Sequence, residues 1–176
     1  VLALKDVPEI WEVFYGDNPP LFGFAHDWRT EGLAHKDIPF PVRKITTPDY
    51  LDDFFFDQSY EYVMGASRSG EGGQVIDLVI GQKVADLDLP GMPHLGSGIT
   101  WKYGDSTVMA TPHLKEGTIS VIDMQSWETV KRIETQGPGF FMRSHENSPY
   151  VWADVFFGPH KDKMHVIDKK TLEIVK

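Results

Sequence analysis

Two Pro-His pairs carry the residue types best placed for chemistry. His94 sits in Pro90-Gly91-Met92-Pro93-His94-Leu95-Gly96-Ser97-Gly98, and His113 in Met109-Ala110-Thr111-Pro112-His113-Leu114. Proline fixes φ just ahead of each imidazole, and Gly96 and Gly98 allow the backbone to approach a ligand closely. Further along, Arg143 and His145 lie in "GPGFFMRSHENSPY", which starts at Gly137. An imidazole can ligate a metal or move a proton near neutral pH. A guanidinium can hold a carboxylate. A loop histidine is by default a hydrogen-bonded or solvated turn residue, and an arginine by default a salt-bridge partner. Residue type alone leaves both readings open for each of the four. Asp52-Asp53 ahead of Phe54-Phe55-Phe56 reads either as an acid/base pair or as a turn before a buried strand. "SRSGEGG" from Ser67 lacks the order of a phosphate-binding loop and is read as a hairpin loop. His26, His35, His160 and His165 lie in polar or loop contexts and receive no role.

Composition narrows the partners. The chain has 176 residues, 41% hydrophobic and 24% charged, which is a globular mixture with room for a sizeable core. The formal net charge of -9 argues against a nucleic-acid backbone as partner, since phosphate binding draws on Lys and Arg. No run of eighteen apolar residues predicts a membrane span. The start, "VLALKDVPEIW", has no signal-peptide pattern. There is no cysteine, which excludes disulfides, thiolate catalysis, iron–sulfur clusters and covalent c-type haem attachment by these residues.

The elements that must position the imidazoles announce themselves as a repeat. "GGQVIDLVIGQKVADLDLPG" from Gly72, "GTISVIDMQSWETVKRIETQGPG" from Gly117 and "DKMHVIDKKTLEIVK" from Asp162 share one plan. An alternating apolar strand ends in Ile-Asp, a short polar turn follows, and a second apolar strand returns. Ile76 and Ile122 are 46 positions apart, and Ile122 and Ile167 are 45 apart. A period of about 45 residues built from short strands predicts β-propeller blades. Asp77, Asp123 and Asp168 suit the turn, because a carboxylate accepts backbone N–H groups two residues on. "STVMAT" from Ser106 and "PYVWAD" from Pro149 fit as further strands, and so does "EIWEVFY" from Glu9. That last strand lies about 65 positions ahead of Ile76, so the Pro- and aromatic-rich stretch from Asp17 to Pro41 is read as an insertion. No amphipathic helical period is convincing, and the chain reads as all-β, with about four blades. Closed propellers have about four to eight blades. The last repeat stops mid-blade, so residues 1–176 are expected to be part of a larger propeller, with self-association as one way to cover its edges.

With the strands in place, four motifs fall into a recognisable order. "DLPGMPHLGSGITW", "VMATPHL", "SVID" and "GPGFFMRSHENSPYVWAD" together resemble the C-terminal d1-haem domain of the cytochrome cd1 family, and the resemblance runs over nearly the whole chain. That family comprises periplasmic nitrite reductases and a dehydrogenase that makes haem d1 from dihydro-haem d1. The resemblance implies an eight-bladed propeller holding haem d1 in its channel, of which this chain supplies about half. His94 matches the family's distal histidine of Pro-His-Pro-Gly and becomes a catalytic residue or distal iron ligand. His113 matches the histidine of Ala-Thr-Ser-His-Leu, and His145 a Thr-His position; both are supporting residues around the cofactor. Arg143 is a candidate anchor for a haem carboxylate.

Two departures bear on the reaction. The reductases carry an arginine where this chain has Ser97, and a second distal histidine where it has Asp52. Reduction of nitrite to nitric oxide consumes two protons and one electron, for which paired imidazoles are suited. An ionised Asp52 repels nitrite. The resemblance therefore implies a haem d1-binding oxidoreductase of the dihydro-haem d1 dehydrogenase kind. Nitrite reductase, a non-enzymatic haem d1 carrier and a plain interaction module are the alternatives. The implied partners are a tetrapyrrole and a c-type cytochrome or other electron-transfer protein. Any c-type haem would come from another domain, and the implied compartment is the periplasm.

Overall fold

The computed structural model describes residues 2–3, 9–13, 42–66 and 72–176. The insertion read between Asp17 and Pro41, with His26 and His35, lies outside the described residues, as does most of the loop from Ser67. Among the described residues, fourteen strands form four antiparallel sheets, each following the chain order. The first sheet holds β1 (Leu2–Ala3), β2 (Glu9–Val13) and β3 (Val42–Thr46). The second holds β4 (Asp53–Phe56), β5 (Tyr62–Ala66), β6 (Gly73–Asp77) and β7 (Gln82–Leu87). The third holds β8 (Ile99–Tyr103), β9 (Ser106–Pro112), β10 (Thr118–Asp123) and β11 (Thr129–Glu134). The fourth holds β12 (Met142–Ser144), β13 (Tyr150–Asp154) and β14 (Met164–Asp168). Ile174 forms an isolated antiparallel bridge with Ile167 of β14. These are the propeller blades that the repeat predicts, and no α-helix occurs among the described residues. β2 pairs with β3 across the insertion, which explains the long first spacing.

The Ile-Asp repeat builds one turn three times. Asp77 Oδ1 accepts the N–H groups of Val79 and Ile80 (2.7 and 3.1 Å). Asp123 Oδ1 does the same for Gln125 and Ser126 (2.8 and 2.9 Å), and Asp168 Oδ1 for Lys170 and Thr171 (2.8 and 2.9 Å). The residue four after each aspartate then takes a left-handed backbone: Gly81, Trp127 and Leu172, with φ of 71°, 63° and 59°. Only glycine adopts that conformation freely. Trp127 and Leu172 are held there by packing: Trp127 lies on Tyr62 of the preceding blade with ring centroids 5.3 Å apart, and Leu172 is buried in the core.

The core lies between blades rather than within one. Met64, Val75 and Leu87 of the second blade pack with Met109 and Ile122 of the third. Val108, Ala110 and Val121 of the third pack with Met142, Val151 and Ile167 of the fourth. Neighbouring residues of a central strand thus serve opposite cores, as Val63 and Met64 do, so these strands read as continuous apolar runs. The outer strands β7 and β11 alternate exposed and half-buried positions. Gly65 is needed where β5 crosses Leu51: a Cβ there would lie 1.8 Å from Leu51 Cδ2. Leu51 is itself buried, so it has little room to yield. Gly65→Ala should destabilise the fold by about 1–3 kcal/mol. In a double-mutant cycle by urea unfolding, that cost should shrink in a Leu51→Ala background, and an unchanged cost would show that the clash is relieved elsewhere.

Candidate functional site

The two Pro-His motifs meet in space. β7 of the second blade leads through Pro90–Gly98 into β8 of the third, and β9 returns to the same end. Pro93 and His113 form an isolated antiparallel bridge. The His94 N–H donates to the Pro112 carbonyl (2.8 Å), Leu114 N–H to Met92 (2.9 Å) and Lys115 N–H to Gly91 (3.0 Å). Leu95–Ser97 make one turn of 3₁₀ helix with Leu95 and Ser97 buried. The second blade grips the turn as well: the Gly96 N–H points at both carboxylate oxygens of Asp53 on β4 (3.1 Å each). A Cβ on residue 96 would sit 2.9 Å from Asp53 Oδ1, so glycine is what allows this approach. Asp53 is therefore a backbone clamp for the His94 turn.

The fourth blade supplies the last contact. His94 Nδ1 lies 2.6 Å from the carbonyl oxygen of Phe140, just ahead of β12. A carbonyl only accepts, so Nδ1 carries a proton, and in the neutral imidazole Nε2 then holds the lone pair. Nε2 makes no hydrogen bond among the described residues. The imidazole lies against the Phe140 ring, with centroids 4.1 Å apart and planes at 46°. Phe141, Phe156 and Phe157 extend this aromatic group and are 45%, 47% and 42% exposed. An imidazole with one nitrogen pinned, and the other without a partner among the described residues, thus borders an exposed apolar surface.

His113 is fully buried. Its Nε2 shares a 2.9 Å hydrogen bond with Ser120 Oγ, and Nδ1 has no partner in hydrogen-bond geometry. Burial pushes its pKa down to about 4, opposed in part by the Pro90 carbonyl and helped, to a lesser degree, by the Arg132 charge. A neutral, enclosed imidazole of this kind supports the His94 turn from beneath. Strand direction separates the other two candidates. Arg143 is an exposed residue of β12 whose Nη1 donates to the Met142 carbonyl (2.8 Å), and it forms no ion pair among the described residues. β12 runs away from Phe140, so His145 falls in the turn before β13, at the opposite end of the blade from His94. There its Nδ1 accepts the Asn147 N–H (3.1 Å) and its carbonyl accepts Lys169 Nζ (2.8 Å). The recurrence of histidines along the chain therefore does not gather all of them at one end: His94 and His113 meet, and His145 does not join them.

Sequence reasoning passed over Asp154. Its Oδ1 accepts the N–H groups of Phe140 (2.7 Å) and Phe141 (2.9 Å). The signal was a broken repeat. Tyr62, Val108 and Tyr150 pair with the three turn aspartates, and four residues beyond each stand Ala66, Pro112 and Asp154. Only the last is charged.

Antiparallel blades packed face to face define a β-propeller, and the His94 imidazole is a candidate site where three of them converge. The chain belongs to the Cytochrome D1 heme domain family, which its residues 33–176 match. It is 47% identical to a dihydro-heme d1 dehydrogenase of Pseudomonas aeruginosa over 174 residues, 99% of this chain and 31% of that protein. It superimposes on the solved structure of the dihydro-heme d1 dehydrogenase NirN in complex with DHE with a TM-score of 0.81 at 47% identity, over 99% of this chain and 33% of that one. Hydrazine synthase of Kuenenia stuttgartiensis shares the fold, with a TM-score of 0.61 at 14% identity over 78% of this chain and 39% of that one. The chain thus spans about a third of the length of the dehydrogenases it matches. The propeller blades and the family expected from the motifs are both found. No helix among the described residues is long and apolar enough to cross a membrane.

Proposed function

We propose that the chain forms the His94-bearing portion of a haem d1 propeller that oxidises dihydro-haem d1 to haem d1. The observation that carries this reading is the His94 imidazole, with Nδ1 fixed by the Phe140 carbonyl and Nε2 free beside exposed phenylalanine rings. A tetrapyrrole is flat, largely apolar and edged with carboxylates. The phenylalanines offer it apolar contact, Nε2 a lone pair for a proton or a metal, and Arg143 a cation for a carboxylate. The reaction removes two hydrogens, as two protons and two electrons, from a propionate side chain to leave an acrylate; one proton can pass to His94 and the other to solvent, and the electrons leave one at a time to acceptors such as c-type cytochrome haems. The part of this chain is to hold the tetrapyrrole, exclude water with the aromatic group and accept or deliver a proton at His94 Nε2.

Two positions speak against nitrite reduction. Ser97 is buried within the 3₁₀ turn, where a long cationic side chain does not fit without rearrangement. By the resemblance, Asp52 stands where the reductases carry a second distal histidine. The test is an anaerobic absorption titration of dihydro-haem d1 into the complete protein. The expected result is a band shift followed by conversion to the haem d1 spectrum. A shift without conversion, with nitric oxide released on adding nitrite, would replace this reading by the reductase; a shift with neither would make the protein a carrier. No shift at all would return it to the interaction modules. We further infer a periplasmic location from the family's habit, which cell fractionation checks.

A further inference from the structure

The hydrogen bonds around Phe140 form a relay with a carboxylate at its far end. His94 Nδ1–H donates to the carbonyl of Phe140 (2.6 Å). The N–H of the same peptide group belongs to Phe141, and it donates to Asp154 Oδ1 (2.9 Å). One amide plane is therefore loaded at both ends, with a carboxylate on its N–H and an imidazole on its C=O. A charge-assisted bond on the N–H draws electron density toward the carbonyl oxygen and makes it a stronger acceptor. Asp154 Oδ1 also accepts from Phe140 N–H (2.7 Å), and the Asp154 N–H returns a bond to the Phe141 carbonyl (3.1 Å), so the plane has little freedom to rotate. Phe156 and Phe157 N–H groups, both on the Pro138 carbonyl (2.9 and 3.1 Å), fix the segment from the other side.

We propose that Asp154 is a positioning residue for His94, acting through the Phe140–Phe141 peptide group to hold the imidazole as its Nδ1–H tautomer with Nε2 available. A carboxylate bonded to a metal-ligating histidine is a common device for fixing its tautomer. Here a peptide group stands between the two. The proposal rests on the reading of His94 as the functional imidazole, but its test does not. Other ionisable groups packed on the His94 segment are Asp53 at Gly96, Glu116 beside Gly91 and His113 behind Pro93. Of these, Asp53 holds backbone only, and none bonds the Phe140–Phe141 peptide.

The experiment is nitrogen-15 NMR of the complete protein labelled at histidine, without tetrapyrrole, with the His94 signals assigned by their loss in His94→Gln. Wild type should show a protonated Nδ1 and a bare Nε2. Asp154→Ala should release the amide plane and move His94 toward the Nε2–H form. Asp154→Asn keeps an acceptor oxygen for both N–H groups and should restore the Nδ1–H form. Should the alanine variant fail to fold, Asp154→Leu, which fills the space without an acceptor, makes the same test. Tetrapyrrole affinity should fall by about 10–100-fold in Asp154→Ala. An Nδ1–H tautomer that persists in Asp154→Ala, or that Asp154→Asn does not restore, overturns the proposal. If His94→Ala left tetrapyrrole binding intact while the tautomer followed Asp154, the proposed function would fail and this inference would stand.

Discussion

Lowering the pH from 7.5 to 5 should remove about 2 kcal/mol of stability through a single side chain, His113. The imidazole is fully buried, and its pKa falls from 6.5 to about 4, first because burial penalises the charged form. The sign follows from proton counting. Between pH 6.5 and 4 the unfolded chain binds a proton at this residue and the folded one does not, so stability falls as pH falls. The contribution is whole above pH 6.5, and about 3 kcal/mol of it is gone at pH 4. His165 adds to the trend in the same direction, since burial and then the Lys163 charge lower its pKa too. The turn aspartates act in a lower window. Asp123 is held down by the Ser106 hydroxyl and the turn N–H groups, and Asp168 by the N–H groups of Thr171 and Lys170. Their stabilisation is lost only as pH falls below the ordinary carboxylate value of 3.8. Urea unfolding at pH 7.5 and pH 5 therefore isolates the histidines. His113→Gln keeps a polar group for Ser120 Oγ and should cut the pH difference by about 2 kcal/mol. An undiminished difference in that variant would place the acid sensitivity elsewhere.

His113 also marks where the sequence could and could not be read. The blades were legible because each repeats a local rule: an apolar strand, an aspartate that accepts two turn N–H groups, and a return strand. Asp77, Asp123 and Asp168 obey it in the structure as they do in the text. His94 was legible through its flanking prolines and glycines and through the family motif. The support around it was not, because it depends on contacts across 43 and 46 positions, from Gly96 to Asp53 and from His94 to Phe140. Asp154 closes a motif quoted for other residues, and Asp53 precedes an apolar run, but both bind backbone N–H groups, which leave no mark in a sequence. His145 misled for a related reason. Its position after the repeat resembles that of His94, but strands of a blade alternate in direction, and one strand is enough to carry a residue to the far end. Recurrence along a chain predicts recurrence in space only when the strand count between the residues is also matched.

The same network makes His94 a clean residue to remove. Its turn is held by backbone groups: His94 N–H on Pro112, Gly96 N–H on Asp53, and Leu114 N–H on Met92. None of these uses the imidazole. His94→Ala deletes one side-chain hydrogen bond and the contact with the Phe140 ring. The stability cost should be about 1–2 kcal/mol, within the usual range for a lost hydrogen bond plus a partly buried ring. If the complete protein acts as proposed, the functional cost should be far larger. A positioned proton-transfer group contributes about 10²–10⁴-fold in rate, which corresponds to about 3–5 kcal/mol of activation free energy. Single-turnover conversion of bound dihydro-haem d1, followed by absorbance in wild type and His94→Ala, reads the rate, and thermal unfolding of the same samples reads the fold. A variant that melts within a few degrees of wild type yet converts its substrate at least about a hundredfold more slowly would give His94 a direct part in the chemistry. Conversion within about threefold of wild type would leave the imidazole only its packing against Phe140, because that change is worth less than 1 kcal/mol of activation free energy.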